Sequence, residues 1–126
     1  VPKTSSTGAA GYDLYSTSDY TLICGQPTVC KTGTAIAIPS GYFGKIEGRS
    51  SMATKGIITA GGVIDSDYRG EIGVILINTS LSEYNIKAGD RIAQLIFLKV
   101  ENPVLEEVQE LPPTSRNEGG FGSTGK

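Results

Sequence analysis

The chain has 126 residues, a net charge of −2 and 38% hydrophobic residues, the size and balance of one folded domain. It carries no basic excess, which argues against holding a long polyanion by bulk charge, and no apolar run or signal-peptide pattern that would span or target a membrane. Histidine is absent, which removes the commonest general base, the usual zinc ligand and every Ser-His or Cys-His nucleophile pair. Any catalysis must then run on carboxylates, arginines, hydroxyls, backbone groups and a bound metal. The first residue is Val1 rather than Met, so the chain is expected to have been trimmed or excised from a longer one.

Short apolar or alternating runs recur between Gly, Pro, Asn and Asp, and the pattern predicts an all-β body. In chain order the expected strands are Tyr12–Tyr15, Tyr20–Cys24, Thr28–Lys31, Thr34–Ile38, Tyr42–Glu47, Ile57–Ala60, Gly62–Ile64, Gly70–Asn78, Tyr84–Ile86, Arg91–Val100 and Val104–Glu107. Cys24 and Cys30 flank a turn-like Gly25-Gln26-Pro27 and are expected on adjacent strands as buried thiols. One short helical turn is predicted near Ser51–Lys55, capped by Ser50 or Ser51 and stopped by Gly56. The run from Ile72 to Ile77 is nearly unbroken and rich in β-branched residues. It suits a strand covered on both faces, or one buried in a subunit contact. So many short strands point to a sandwich, a jelly roll or a barrel, and so small a body favours an oligomer.

Past the Pro112-Pro113 linker the composition changes. Residues 116–126 hold four glycines between Gly119 and Gly125, an arginine and Phe121, and cannot build a core. Gly120 to Lys126 mimics P-loop spacing, but no strand precedes it and no helix follows the lysine. The sequence therefore divides into a body over 1–111 and a Gly-rich arm over 112–126.

Three internal segments could carry chemistry. Gly61–Gly70 reads as a β-hairpin whose turn bears Asp65, Asp67 and Tyr68; one Asp would hold a water or a sugar hydroxyl while the other makes the turn. Arg49, Ser50 and Ser51 sit at a helix start, as in a phosphate cradle. In Gly89–Leu95, a period of two puts Gln94 among Ile92 and Ile96, where a buried amide needs a partner. Arg91 then falls on the opposite face and reads as structural, in an ion pair.

Taken together and in order, Ala10–Leu14, Gly48–Ser51, Gly62–Glu71, Gly89–Leu95 and Arg116–Gly125 resemble the five motifs of the trimeric deoxyuridine triphosphatase (dUTPase) family. The resemblance runs from about Thr7 to the end; Gly48 and Ser51-Met52 depart from the family's common Pro and Gly-Leu. It implies a distorted jelly-roll barrel assembled as a homotrimer. It also implies hydrolysis of dUTP to dUMP and pyrophosphate with Mg2+, keeping uracil out of DNA and supplying dUMP for thymidylate synthesis.

Carried over by residue, Asp65 would orient and activate water, and Tyr68 would pack under deoxyribose. Gly62, Val63, Ile64 and Gly73 would shape the uracil slot. Arg49, Ser50, Ser51 and Gln94 would hold phosphates, and Asp13 would reach magnesium through water. Arg116 would meet the γ-phosphate, Phe121 would stack on uracil, and Gly122, Ser123 and Thr124 would close the lid. The family builds each site from three chains: the first, second and fourth motifs from one, the third from another, the arm from the last. Segment 102–111 would cross to a neighbour. The alternatives are a dCTP deaminase of the same fold and a non-catalytic nucleotide-binding regulator. The resemblance implies an intracellular protein, cytoplasmic or nuclear, with virus-encoded origin open and no nucleic-acid or membrane partner.

Overall fold

A computed structural model of the chain describes residues 1–122. Nine strands and one helical turn follow one another: β1 (Tyr12–Tyr15), β2 (Tyr20–Leu22), β3 (Thr28–Lys31), β4 (Tyr42–Glu47), α1 (Ser50–Ala53), β5 (Ile57–Ala60), β6 (Val63–Ile64), β7 (Gly73–Asn78), β8 (Tyr84–Ile86) and β9 (Arg91–Lys99). They form three antiparallel sheets, ordered β1-β9-β4-β6, β3-β7-β5 and β2-β8. This is the all-β architecture that the punctuation pattern predicts, of the jelly-roll-like kind that the resemblance implies. No helix among the described residues is long and apolar enough to cross a membrane.

Period-two alternation decides what enters the core. In β7, Val74, Leu76 and Asn78 point inward while Gly73, Ile75 and Ile77 stay half-buried outside. Within this single chain the Ile72–Ile77 run is therefore covered fully on one face, not both. Leu14, Leu22, Ile57, Ile86, Ile92 and Leu95 complete the centre, each at most 2% exposed. Each such side chain contributes about 1.5–3 kcal/mol through the apolar area it removes from water.

Two expected strands are absent. Thr34–Ile38 keeps the right alternation, with Ile38 buried and Ile36 half-buried, but its backbone forms no ladder with another strand, and Pro39 ends it. Val104–Glu107 is coil, with Val104 and Leu105 almost fully exposed. A third difference concerns the expected hairpin. β6 pairs with β4, whereas β7 pairs with β3 and β5, so residues 65–72 bridge two sheets. Gly62 sets this up. At φ 95°, it lies where a Cβ would come within 2.9 Å of the Ile46 carbonyl, and its own carbonyl accepts the Ile46 N–H at 2.8 Å.

The cysteines also differ from expectation. β2 and β3 lie in different sheets, and only Cys30 is buried; Cys24 is exposed. Both are free thiols. Burial pushes the Cys30 thiol up from 9.0 to about 11.

The buried amide of Asn78 ties the far end of the barrel together. Its Nδ2 donates to the Leu22 carbonyl at 2.9 Å and the Ser82 carbonyl at 2.7 Å. Its Oδ1 accepts the Ser80 N–H at 2.9 Å and the Ser80 hydroxyl at 2.8 Å. Asn78→Ala leaves those groups without partners and is expected to cost about 2–4 kcal/mol. Urea unfolding at fixed chain concentration measures it; a loss below about 1 kcal/mol would refute the hub role.

Cys30 supplies a pH-dependent part of stability. Its folded pKa lies above the unfolded value, so the folded state holds the proton longer. The contribution is complete below pH 9 and is lost as pH rises through about 11. Unfolding free energy should fall more steeply with pH over that interval in the unaltered chain than in Cys30→Val, and equal slopes would contradict the assignment.

Candidate active site

Strand β9 builds one half of the site. It pairs with β1 through Tyr12↔Leu95, Asp13↔Gln94 and Leu14↔Ala93, then slips so that Tyr15 faces Arg91. The slip is a bulge at Ile92, and Ile92 and Ala93 are consecutively buried as a result. The extra residue turns Arg91 onto the face of Gln94. The expectation that Arg91 lies opposite Gln94 is thus corrected, because a simple count of two cannot see a bulge. The expected ion pair does form, between Arg91 Nη1 and Asp13 Oδ2 at 3.3 Å.

Around that pair lies a polar cleft lined by Ser5, Asp13, Arg49, Ser50, Ser51, Arg91 and Gln94. The Ser5 hydroxyl donates to Asp13 Oδ2 at 2.7 Å, and Arg91 Nη1 donates to Ser5 Oγ at 2.8 Å. Arg49 Nη1 donates to the Arg91 carbonyl at 3.1 Å, and Gln94 Nε2 donates to the Gly48 carbonyl at 3.3 Å. Four sequence segments are thereby locked around one polar concavity. Arg49 occupies the N-cap of α1 with extended backbone and no side chain caps the turn. Neither serine caps it, contrary to expectation, and both exposed hydroxyls are available to a ligand. Gly56, at φ 84°, ends the turn as expected.

The other half is a cleft of about 380 Å3, of the size that takes a small molecule. Val63, Ile64, Asp65, Tyr68 and Gly73 line it, with Val29, Lys31, Glu71, Ile72 and Ile75. Gly62, expected in the slot, is not part of this lining; it packs against Ile46. The turn at 65–68 closes through Tyr68 N–H to the Asp65 carbonyl at 3.1 Å. Arg69 Nη1 holds it from outside, donating to the Ser66 carbonyl at 2.7 Å and the Tyr68 carbonyl at 3.1 Å. Neither Asp side chain makes the turn, contrary to expectation. Among the described residues no donor reaches the Asp65 carboxylate, which is exposed and available to a water.

No described residue of the arm is part of either lining. Thr114 N–H donates to Asn117 Oδ1 at 2.9 Å and Asn117 N–H to Thr114 Oγ1 at 3.0 Å, a reciprocal clamp over one turn. Arg116 Nε folds onto the Gly119 carbonyl. Phe121 is fully exposed, at φ 51°, and Gly122 follows at φ 81°. Ser123 and Thr124 lie outside the described residues.

The expected site residues thus fall into three groups: phosphate-type donors in the β9 cleft, Asp65 and Tyr68 in the β7 cleft, and the arm. The two clefts share no lining residue. Sequence reasoning missed Ser5, Lys31, Val29 and Glu71. Sheet register brings in Val29 and Lys31, as in Lys31↔Gly73, and the paths of coil segments bring in Ser5 and Glu71; single-segment patterns carry neither.

Among the described residues no group of three or more His, Cys, Asp or Glu could hold a metal. The β9 cleft offers one carboxylate, Asp13. That donor set cannot cage an ion, but it fits a magnesium that arrives on phosphates and keeps its waters.

Comparisons with known proteins agree over the full length. The dUTPase family model matches residues 1–125. The deoxyuridine 5'-triphosphate nucleotidohydrolase of Vaccinia virus (strain Copenhagen) is 52% identical over 124 residues, covering 98% of this chain and 84% of that protein. The Mus musculus enzyme of the same name is 51% identical over 127 residues, covering 100% of this chain and 78% of that one. The solved structure of Staphylococcus bacteriophage 80alpha dUTPase with dUPNHPP superposes with a TM-score of 0.91 at 30% identity, covering 100% of this chain and 92% of that chain. The chain belongs to the dUTPase family.

Proposed function

We infer that this chain hydrolyses dUTP to dUMP and pyrophosphate, in sites that three copies assemble together. Family membership and 52% identity over nearly the whole chain carry the reaction. The observation that supports the shared site is the partition just described: Arg49, Ser50, Ser51 and Gln94 line one cleft and Asp65 lines another. Uracil and deoxyribose would enter the β7 cleft of one copy while the phosphates lie in the β9 cleft of another. The exposed apolar residues Val104 and Leu105 support a crossing of segment 102–111 onto a neighbour.

In the assembled site Asp65 orients the attacking water toward the α-phosphate and takes its proton. Val63, Ile64 and Gly73 form the slot for the base. Gly73 keeps it narrow, since a Cβ there would fall 2.7 Å from Val29 Cγ1. Tyr68 packs under the sugar. Arg49, Ser50, Ser51 and Gln94 hold the phosphate chain, and charge-assisted bonds from Arg49 offset the charge growing on the leaving pyrophosphate.

Asp13 is the residue that would hold magnesium through water, and when bound the ion would supply further charge neutralisation on the phosphates. Ser5 and Arg91 keep the Asp13 carboxylate facing that cleft. The arm over 112–126 is the lid: Arg116 reaches the γ-phosphate, Phe121 covers the base, and Gly122 with Ser123 and Thr124 closes the gap.

A complementation experiment tests the sharing directly. Asp65→Asn and Arg49→Ala should each lower kcat for pyrophosphate release from dUTP by about 100-fold or more. Refolding the two variants together at equal amounts should restore about a quarter of the unaltered activity, because mixed trimers each regain one intact site. Absence of any recovery would mean that both residues serve one site from one chain. Release of ammonia from dCTP instead of pyrophosphate from dUTP would replace the reaction itself.

Removing residues 116–126 should cut turnover by about 100-fold while leaving the sedimentation of the assembly unchanged and its melting temperature within about 2 °C. A large loss of stability would make the arm a structural element.

A further inference from the structure

The β7 cleft is held by a brace that the steps above do not use. Segment Glu71-Ile72 is tied to the 32–34 loop by three bonds. Gly33 N–H donates to Glu71 Oε2 at 2.9 Å, the buried Thr32 hydroxyl donates to the Ile72 carbonyl at 2.7 Å, and Ile72 N–H donates to the Thr34 carbonyl at 2.7 Å. Together they fix the peptide that carries the Glu71 carbonyl. That carbonyl accepts the Tyr68 hydroxyl at 2.7 Å.

Tyr68 is thereby pinned at three points. Its N–H is bound to the Asp65 carbonyl, its hydroxyl to Glu71, and its ring lies back over Gly70. A Cβ on Gly70 would fall 2.5 Å from the phenol oxygen and 2.7 Å from Cζ, so the ring rests directly on backbone. Even so, Tyr68 is 44% exposed and lines the cleft. Such a ring is a wall with a fixed back and an open face.

A wall discriminates by one added atom only if it cannot retreat. A ring free to shift by a few tenths of an ångström would admit a 2′-hydroxyl at small cost, and a braced ring would not. We propose that Glu71 and Thr32 are positioning residues for sugar selection: they hold the Glu71 carbonyl that locks Tyr68, and so set the preference for deoxyribose over ribose nucleotides. The proposal rests on the reading of Tyr68 as the sugar-facing residue.

The test is the ratio of kcat/KM for dUTP to that for UTP, a readout that general loss of folding does not move. Glu71→Ala should lower the ratio by about threefold or more, chiefly by raising UTP turnover, because one hydrogen bond of the brace is gone. Glu71→Gln should restore it, since an amide oxygen accepts the same Gly33 N–H; this separates the bond from the charge. Thr32→Val should lower the ratio and Thr32→Ser recover it. Should Thr32→Val fail to fold, the exposed Glu71 pair still decides. A ratio unchanged in Glu71→Ala, beside strong preference for dUTP in the unaltered protein, overturns the brace alone. Equal turnover of dUTP and UTP by the unaltered protein overturns the Tyr68 reading and the brace with it.

Discussion

One bulge governs half of the site. β9 is the only strand in its sheet that pairs with both β1 and β4 and carries site residues on its own length. Without the extra residue at Ile92, Arg91 and Gln94 would project to opposite faces. Arg91 would then miss Asp13 and Ser5, and Arg49 would lose the Arg91 carbonyl in its present orientation. The bulge is held by burial: Ile92 and Ala93 both lie in the core, so straightening the strand would expose one of them. Core packing and the orientation of the β9 cleft are therefore one constraint. A core residue such as Ile92 can therefore set the direction of Arg91 and Gln94 without lining the cleft.

The β7 half obeys a different logic. Here no bulge and no ion pair sets the geometry; close backbone approach does. Gly62, Gly70 and Gly73 each stand where a side chain would meet the Ile46 carbonyl, the Tyr68 ring or Val29. Removing three side chains lets the 61–73 segment pass between two sheets and still present Asp65 and Tyr68 outward. The entropic cost of those glycines is met by ordered bonds at the segment's ends, through Ile46 at one side and Thr32 to Thr34 at the other. The half-buried outer face of β7, with Ile75 and Ile77, remains available to a neighbouring copy. The sequence suggested that outlet when it placed five apolar residues between Ile72 and Ile77, broken only by Gly73, in a body too small to cover both sides.

Legibility in the sequence followed the range of the interaction. Five strand spans, β1, β3, β4, β5 and β8, were readable to the residue because alternation and turn residues are local. The motifs were readable because residue type and order suffice for them. Thr34–Ile38 shows the limit: its alternation is real, yet a strand also needs a partner, and sequence period says nothing about which backbone lies alongside. The same gap hid the path from β6 to β4 and the register that brings Lys31 beside Gly73. Arg91 was misplaced because one inserted residue inverts a period-two count. Ser5 offered no signal at all, being a serine among serines and threonines whose role exists only where the amino-terminal segment crosses Asp13.

The arm shows how order and openness can coexist in one segment. A lid of glycines alone would lose about 1–2 kcal/mol per residue on closing, a cost that a few contacts to a ligand could scarcely offset. Here the turn at Thr114–Asn117 is already formed by two reciprocal bonds, with Asn117 at φ 47°, a conformation that asparagine tolerates better than most residues. Arg116 sits inside that turn, so its backbone is placed before any phosphate arrives. Two further bonds join Arg116 and Gly119, and past them Phe121 stands fully exposed. The division suits the two tasks proposed for Arg116 and Phe121. A charge acts over several ångströms and gains from being held ready, whereas an aromatic ring must settle flat on a base and gains from the glycines around it. In the closure proposed above, the turn at Thr114–Asn117 would arrive already formed, and its ordering would add nothing to the cost.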